Sequence, residues 1–399
     1  MRMPLKKPAL LYVLALLLSF HALLFYGFPG AALFAVWLIL AIVFLLAGGA
    51  QAMLTAVSLA LFTLLLNAAV HFTGLERSIY YRPHELMKSS DPDFGAIFKP
   101  DTQFSMNALF GDIEAIEKVG VKEPHEIAYL TDSLGFRNPS DYHGQKFVLV
   151  GDSFVAGAND TQSCLISEWL RQSHALDTYN LGFPGDMNDY VNRVRAFRRV
   201  KGNDFRMALF VYEGNDFRPF TNQPVARPSL FDRYYGLFRS SSLWRYTRSL
   251  YLRGQKKRSG EQAPPALVKD IGDKPVAFYS REQALINNRN TLQESDLKFI
   301  SALQALKPNL TEIFFVPVKF RVYAKWVSPQ SLPNEQWKYL AEAARQVGIP
   351  AHDLTSVLSA EAARILAQGQ YVYWRDDTHW NCNGMRVVAD EVARILLKQ

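Results

Sequence analysis

The chain has 399 residues, of which 49% are hydrophobic, and carries a formal net charge of +7 at pH 7. This length allows one large domain or two ordinary ones. Despite the basic charge, nucleic acid is not an expected partner, because the sequence lacks a recognition helix, a zinc-ligand spacing and an aromatic RNA-binding platform. The two cysteines, Cys164 and Cys382, have no CxxC neighbour, which argues against a zinc site or a redox motif.

Residues 1–75 are predicted to anchor the chain in a membrane. No Asp, Glu, Lys or Arg occurs between Lys7 and Glu76. Since one bilayer crossing needs about 20 helical residues, we expect about three transmembrane helices, at roughly 9–27, 31–48 and 52–70. Basic residues ahead of the first span favour a cytoplasmic N-terminus. Three spans in a bacterial inner membrane then place the rest of the chain in the periplasm or at the cell surface.

The remainder divides into a loop-rich lead-in at 76–145 and a domain at 146–399. In the domain, continuous apolar runs alternate with helical patterns. The runs are Phe147–Val150, Met207–Tyr212 and Ile313–Val316. Such runs are typical of parallel strands that are covered on both faces, so the sequence predicts an α/β domain. A stretch at about 218–292 interrupts the alternation and is predicted to be a partly helical insertion or lid.

Three short segments carry groups that are suited to acyl transfer. Ser153 directly follows the first apolar run, and ligands bind at the carboxyl ends of parallel strands, so Ser153 is a candidate nucleophile. Gly185 can present a backbone N–H group, and Asn215, just after the second run, can present a side-chain amide. Both are suitable donors to an oxyanion. Taken alone, each segment is also consistent with an ordinary turn.

A fourth segment, just before the last predicted helix, supplies a candidate base. His379 can take a serine proton, and a carboxylate must orient the ring and stabilise the imidazolium. Two carboxylates precede it, Asp376 and Asp377. A helical turn brings together residues three apart, whereas an extended chain aligns residues two apart. We favour Asp376 and keep Asp377 as the alternative triad acid.

The order and residue types of the four segments resemble the SGNH (GDSL-type) hydrolase superfamily. The resemblance implies a three-layer, flavodoxin-like fold with a parallel sheet. It also implies a catalytic triad and an oxyanion hole that includes the amide of the nucleophile. The triad residues would be Ser153, His379 and Asp376, and the oxyanion donors Ser153, Gly185 and Asn215.

Two positions depart from the superfamily pattern. Phe154 stands where the pattern has Leu, and Trp380 stands where Pro often follows the catalytic histidine. The string from Asp377 to Trp380 is also similar to a motif of SGNH-like polysaccharide O-acetylation proteins, whose Asp stands two residues before the His. In their alginate members this pair precedes the serine, whereas here it follows.

These features favour a membrane-anchored serine esterase that acts on an envelope glycan or lipid through an acyl-serine intermediate. The first alternative is an O-acyltransferase that modifies a cell-envelope polysaccharide, with an integral-membrane partner that supplies acyl groups. The second is a non-catalytic SGNH-like assembly or binding protein. Neither a metal nor an organic cofactor is expected, and the lipid bilayer is an expected partner.

The cysteines leave two possibilities open. Cys164 lies eleven residues after Ser153 and Cys382 three residues after His379, so the helices that follow these residues should begin near one another. A disulfide requires α-carbons within about 7 Å, and eleven residues of helix and loop can exceed that distance. We therefore favour two buried free thiols, with a disulfide as the alternative in an oxidising compartment.

Overall fold

A computed structural model gives the structure of the chain. It describes residues 58, 61–73, 75, 83–224, 241–247, 250, 266–287, 292–328 and 330–398. The chain divides into two compact units. The first comprises residues 1–80 and 228–261, and the second comprises residues 81–227 and 262–399. All candidate site residues belong to the second unit.

The described part of the first unit includes a helix over 61–72. The side-chain oxygen of Asn67 accepts a hydrogen bond from the N–H of Leu243 at 3.0 Å. The predicted spans at 9–27 and 31–48, and the beginning of the span at 52–70, lie outside the described residues. Where helices are described, none combines the length and the apolar character that a bilayer crossing needs.

Within its described residues, the second unit contains a five-stranded sheet and three two-stranded antiparallel ribbons. The strands are β1 Lys88–Asp91, β2 Gly95–Phe98, β3 Gln103–Ala108, β4 His125–Leu130, β5 Phe147–Val150, β6 Thr178–Asn180, β7 Arg206–Tyr212, β8 Leu267–Ile271, β9 Lys274–Phe278, β10 Leu310–Val316 and β11 Ala351–Asp353. The three apolar runs of the sequence are thus β5, β7 and β10.

Helices occupy most of the connections between these strands. They are α1 Pro83–Met87, α2 Asp112–Glu117, α3 Ser153–Ala156, α4 Ile166–His174, α5 Met187–Lys201, α6 Ser280–Asn287, α7 Glu294–Leu297, α8 Phe299–Leu306, α9 Lys319–Val322, α10 Ala324–Val327, α11 Glu335–Val347, α12 Thr355–Leu366 and α13 Cys382–Leu396. A 3-10 turn, Gln162–Cys164, precedes α4.

The five-stranded sheet is parallel and has the order β6-β5-β7-β10-β11. Counted along the chain this order is 2-1-3-4-5, which is the flavodoxin-like arrangement. The predicted α/β fold with a parallel sheet is therefore confirmed. The strand order reverses next to β5, and ligands bind outside the carboxyl ends of the strands at such a point. Ser153 follows β5 and Asn215 follows β7, so both lie there.

Helices cover both faces of the sheet, which produces three layers. On one face α13 packs against α4 and α12, and elsewhere α8 packs against α5 and α11. Phe147 and Leu149 of β5 share an apolar core with α4, α12 and α13. Val148 and Val150 are fully buried too, and alternation along a strand directs them to the opposite face.

The predicted lead-in contacts residues 151–161, which carry Ser153 and are called the nucleophile loop below, through a buried arginine. Arg137 donates to the carbonyl oxygens of Ala156 and Gly157, three and four residues after Ser153, and to that of Ala128 in β4. Its guanidinium thus satisfies backbone acceptors that would otherwise be buried without partners. The domain boundaries at 75, 145 and 399 stay a prediction.

Part of the predicted insertion at about 218–292 is described. It contributes the antiparallel ribbon β8–β9 and the helix α6. Residues 225–240, 248–249, 251–265 and 288–291 lie outside the described residues. Ala277 of β9 donates its N–H to the carbonyl oxygen of Arg375 at 2.8 Å, so the ribbon lies against the segment that carries the candidate base.

Cys164 and Cys382 form a disulfide bond, and their α-carbons are 4.9 Å apart. The expectation of two free thiols was therefore wrong. Cys164 ends the 3-10 turn before α4, and Cys382 begins α13. Because α4 and α13 pack side by side, the turn before α4 and the first residue of α13 come within bonding distance. The disulfide thus joins the turn that precedes α4 to the helix that follows the candidate base.

Thiol titration of the denatured, unreduced protein should detect no free thiol. Replacing both cysteines by serine should lower the free energy of unfolding by about 2–4 kcal/mol, because the bond restricts the unfolded chain. Denaturant unfolding measures this difference. Ser163→Ala, an exposed change next to Cys164, is the matched control and should leave stability unchanged. Two titratable thiols in protein from an oxidising compartment would contradict the bond.

Candidate active site

Ser153 is the first residue of α3 and directly follows the loop that leaves β5. The side chain of Asp152 caps this helix by accepting the N–H of Phe154 at 2.9 Å. Gly157 ends the helix with φ 64°, and a Cβ at this position would lie 2.1 Å from Leu165. This tight turn needs a glycine, and it leaves Ser153 partly exposed at the carboxyl edge of the sheet.

Three side chains form a continuous hydrogen-bonded chain. Ser153 Oγ lies 2.8 Å from His379 Nε2, and His379 Nδ1 lies 2.6 Å from Asp377 Oδ1. With the imidazole neutral, Ser153 donates to Nε2, and Nδ1–H donates to the carboxylate. The structure thus brings together the predicted nucleophile, the predicted base and the alternative acid, in the arrangement that acyl transfer requires.

Asp376, which we favoured as the triad acid, lies elsewhere, and the geometry corrects that preference. Its Oδ2 accepts the N–H groups of Gly111 at 2.8 Å and Glu123 at 2.9 Å. Within this segment, the N–H of His379 donates to Asp377 Oδ1 in a non-helical turn. In such a chain, residues two apart lie on the same side, so Asp377 faces the imidazole and Asp376 faces the lead-in.

The charges around His379 favour its protonated form. Burial lowers the pKa of the imidazolium, but the nearby carboxylates, above all Asp377 and then Asp112 and Asp152, outweigh burial and raise this pKa to about 9. Burial alone would raise the pKa of Asp377, but the charge of His379 and its hydrogen bond hold this pKa below its ordinary value. Asp377 therefore stays ionised while His379 exchanges its proton.

Two further residues hold Asp377 in place, and the sequence did not indicate either. Asp377 Oδ2 accepts the backbone N–H of Asp112 at 2.6 Å and the side-chain amide of Asn159 at 2.5 Å. Asn159 lies in the nucleophile loop, where an asparagine after small residues is indistinguishable from a turn residue. Asp112 lies in the lead-in, 265 residues before its partner, so no local pattern could have identified it.

Lys319 binds the backbone carbonyl groups of the segment that carries Asp377 and His379. Its side chain is fully buried, and its Nζ donates to the carbonyl oxygens of Trp374, Arg375 and Asp377 at 2.8–3.2 Å. Burial lowers the pKa of Lys319 to about 8 although Asp376 and Asp377 raise it. The segment that carries His379 is therefore hydrogen-bonded on both sides.

The structure brings Asn215 to the nucleophile loop. Its side chain lies near Asp152 and lowers the pKa of that carboxyl, which partly offsets the burial that raises this pKa to about 6. Gly185 precedes Asp186, the N-cap of α5. Within the described residues, the backbone N–H groups of Ser153 and Gly185 donate to no protein acceptor. The role of Ser153, Gly185 and Asn215 as oxyanion donors stays a prediction.

The two departures from the SGNH pattern pack against each other. The rings of Phe154 and Trp380 lie edge to face with centroids 4.7 Å apart, and the Phe154 ring is 4.9 Å from that of His379. Both aromatic side chains are buried. The Phe154 ring thus covers one side of the imidazole, and the Trp380 ring packs against Phe154.

Within the described part of the chain, one set of side chains has the spacing of metal ligands. Ligand atoms of Asp112, Asp377 and His379 lie within 4.8 Å of one another. Hydrogen bonds account for this proximity, because Asp377 bonds to the imidazole and Asp112 bonds to Thr378. These hydrogen bonds explain the cluster as a network of charged groups around the imidazole.

Comparison with known proteins gives two similarities. Residues 278–399 match the family described as SGNH hydrolase-like domain, acetyltransferase AlgX. Over 141 residues, the chain is 31% identical to the probable alginate O-acetylase AlgJ of Pseudomonas putida, and this stretch covers 33% of the chain and 32% of that protein. The match therefore spans about a third of the relative's length. Both similarities confirm the predicted resemblance to SGNH-like polysaccharide O-acetylation proteins.

The two aspartates give a matched pair of variants. Asp377→Asn should lower kcat/KM for an aryl acetate by about 10³–10⁴-fold, because the imidazolium loses its partner and the ring its orientation. In the parent protein, kcat/KM should rise with pH near 9, where His379 loses its proton. In Asp377→Asn this rise should move to lower pH, because the carboxylate that raises the pKa of His379 is gone. Asp376→Asn should keep most of the rate and the profile. Initial rates across pH test this, and a larger loss in Asp376→Asn would restore Asp376 as the acid.

Proposed function

We propose that this protein is an O-acyltransferase that acetylates hydroxyl groups of a cell-envelope polysaccharide through an acyl-Ser153 intermediate. The observation that carries the proposal is the hydrogen-bonded chain from Ser153 through His379 to Asp377. Similarity to proteins named for acetyl transfer and alginate O-acetylation supports transfer over the esterase reaction that the sequence alone favoured.

In the first step, His379 Nε2 takes the proton of Ser153, and Oγ attacks the carbonyl carbon of the donor ester. Negative charge develops on the carbonyl oxygen, where the N–H groups of Ser153 and Gly185 and the amide of Asn215 would stabilise it. The imidazolium then gives its proton to the departing alkoxide oxygen. Asp377 stabilises the imidazolium throughout and keeps its own negative charge.

In the second step, a polysaccharide hydroxyl replaces the departed alcohol. His379 takes its proton, the hydroxyl oxygen attacks the acyl carbonyl, and the Ser153–acyl bond breaks as Oγ recovers a proton. Water in place of the sugar gives hydrolysis, so esterase and transferase differ only in the acceptor. A non-catalytic envelope assembly protein is the remaining alternative, and the intact Ser153–His379–Asp377 chain disfavours it.

The decisive experiment offers the full-length protein an aryl acetate with and without a glycan acceptor and follows products by mass spectrometry. We expect an acetyl adduct on Ser153 and acetylated glycan. Ser153→Ala should lose the adduct and reduce turnover by about 10³-fold or more, because Ser153 and His379 act as a unit. Ser140→Ala, an exposed serine, is the matched control. Unchanged turnover in folded Ser153→Ala would refute the mechanism.

We further propose that residues 1–75 anchor the protein in a bacterial inner membrane by about three helices, with the catalytic unit in the periplasm. The absence of formal charge between Lys7 and Glu76 supports the anchor. A disulfide, which persists mainly in oxidising compartments, supports the location. In the periplasm, the proposed partners are the lipid bilayer that holds the anchor, an envelope glycan that accepts the acyl group, and an integral-membrane protein that supplies it.

Reporter fusions after residue 399 test the proposed topology. A reporter that is active only in the periplasm should be active, and a reporter that is active only in the cytoplasm should be silent, because an odd number of spans moves the C-terminal side across the membrane. A fusion to a chain that lacks residues 1–75 is the control and should reverse the pattern. The reversed pattern in the full chain would contradict three spans.

A further inference from the structure

The first turn of α2 lies against the segment that carries the triad acid and base. Gly111 and Asp112 donate their N–H groups to the carboxylates of Asp376 and Asp377 at 2.8 Å and 2.6 Å. A Cβ on Gly111 would lie 2.5 Å from the carbonyl oxygen of Asp376. Only glycine permits this close approach, so the two segments fit each other closely.

The carboxylate of Asp112 binds the residue that precedes the base. Asp112 accepts the backbone N–H of Thr378 at 2.8 Å and its hydroxyl at 2.6 Å. The same hydroxyl lies 3.4 Å from His379 Nδ1. Asp112 and Thr378 are both buried, and a buried carboxylate with such partners keeps a fixed position.

The groups that face His379 come from several elements. They are Asp377 of its own segment, Asp112 of α2, and Ser153, Asp152 and Asp160 of the nucleophile loop. Around Asp112 and Asp377 lie Glu282 of α6, Asp376, and Lys319 of α9. Burial raises the pKa of Asp160 and of Glu282 to about 8, so both are largely uncharged at neutral pH. Among the carboxylates that stay ionised, Asp377 raises the pKa of His379 most, Asp112 comes next, and Asp152 follows.

We propose that Asp112 is a positioning residue of the acyl-transfer site, one that holds Thr378 in place and adds a second negative charge beside the imidazolium. The proposal rests on the proposed function and deepens it. Each time His379 takes a proton, from Ser153 or from an acceptor hydroxyl, the charge that develops on the ring is stabilised by the fixed carboxylate of Asp112 in addition to that of Asp377. Preorganised charge of this kind needs no rearrangement at the moment of reaction.

The test removes the negative charge of Asp112 and keeps the size of its side chain. Asp112→Asn keeps an acceptor for the Thr378 N–H and a polar partner for its hydroxyl, but it removes the charge. Glu114→Gln is the matched control, since Glu114 is a buried carboxylate of the same turn whose Oε2 accepts the N–H of Gly120. Both changes are made in full-length protein that also carries Ser153→Ala. NMR titration of the His379 ring then needs no substrate.

We expect the titration midpoint of His379 to fall by about one pH unit in Asp112→Asn and to stay unchanged in Glu114→Gln. With Ser153 intact, the rising limb of the pH–rate profile should shift in the same direction. Equal midpoints in the two variants would overturn the proposal. Acyl transfer that persists in Ser153→Ala would instead refute the proposed function, while the NMR titration would still report on Asp112.

A second pair of variants tests the positioning role should Asp112→Asn fail to fold. Thr378→Val removes the hydroxyl that bonds to Asp112 and keeps the charge, so kcat should fall about tenfold with little change in KM. Thr378→Ser restores the hydroxyl and should restore most of the rate. A Thr378→Val enzyme with the parent kcat would overturn the positioning role.

Discussion

The hydrogen bond between Ser153 and His379 joins positions 226 residues apart, and the elements of the second unit that carry these two residues meet at it. One end is fixed by β5, which delivers Ser153 to the carboxyl edge of the sheet. The other end is fixed by α13, whose packing on α4 and α12 sets the segment just before it. Both partners are thus placed by elements that share one apolar core, so the folded core holds the two side chains in position for each other.

The surroundings of this bond are unusually rich in buried carboxylates. Asp376, Asp377 and Asp112 are all buried, and charge in an apolar interior is costly unless hydrogen bonds compensate for it. Here backbone N–H groups from the lead-in compensate for Asp376 and Asp377, and Lys319 contributes a positive charge. The lead-in is therefore a component of the site's electrostatics as well as a covering of the domain.

The sequence predicted those parts of the molecule that depend on local pattern. Apolar runs identified β5, β7 and β10, and the residues just after a strand or before a helix identified Ser153 and His379. The choice between Asp376 and Asp377 depended on a turn whose geometry is set by Gly111 and Glu123, more than 250 residues away. The pairing of the cysteines likewise depended on how closely α4 and α13 pack. Neither contact has a signature within one stretch of chain.

The disulfide has a consequence for how the protein matures. Cys164 precedes Cys382 by 218 residues, so the bond can form only after the segment that carries His379 has been synthesised. These 399 residues contain two cysteines, and two cysteines allow a single intramolecular pairing. An oxidant is then sufficient to complete the bond, and no isomerase is required to correct a misconnected chain. Completion of the bond therefore depends on an oxidant and on the packing of α4 against α13 that brings the two cysteines together.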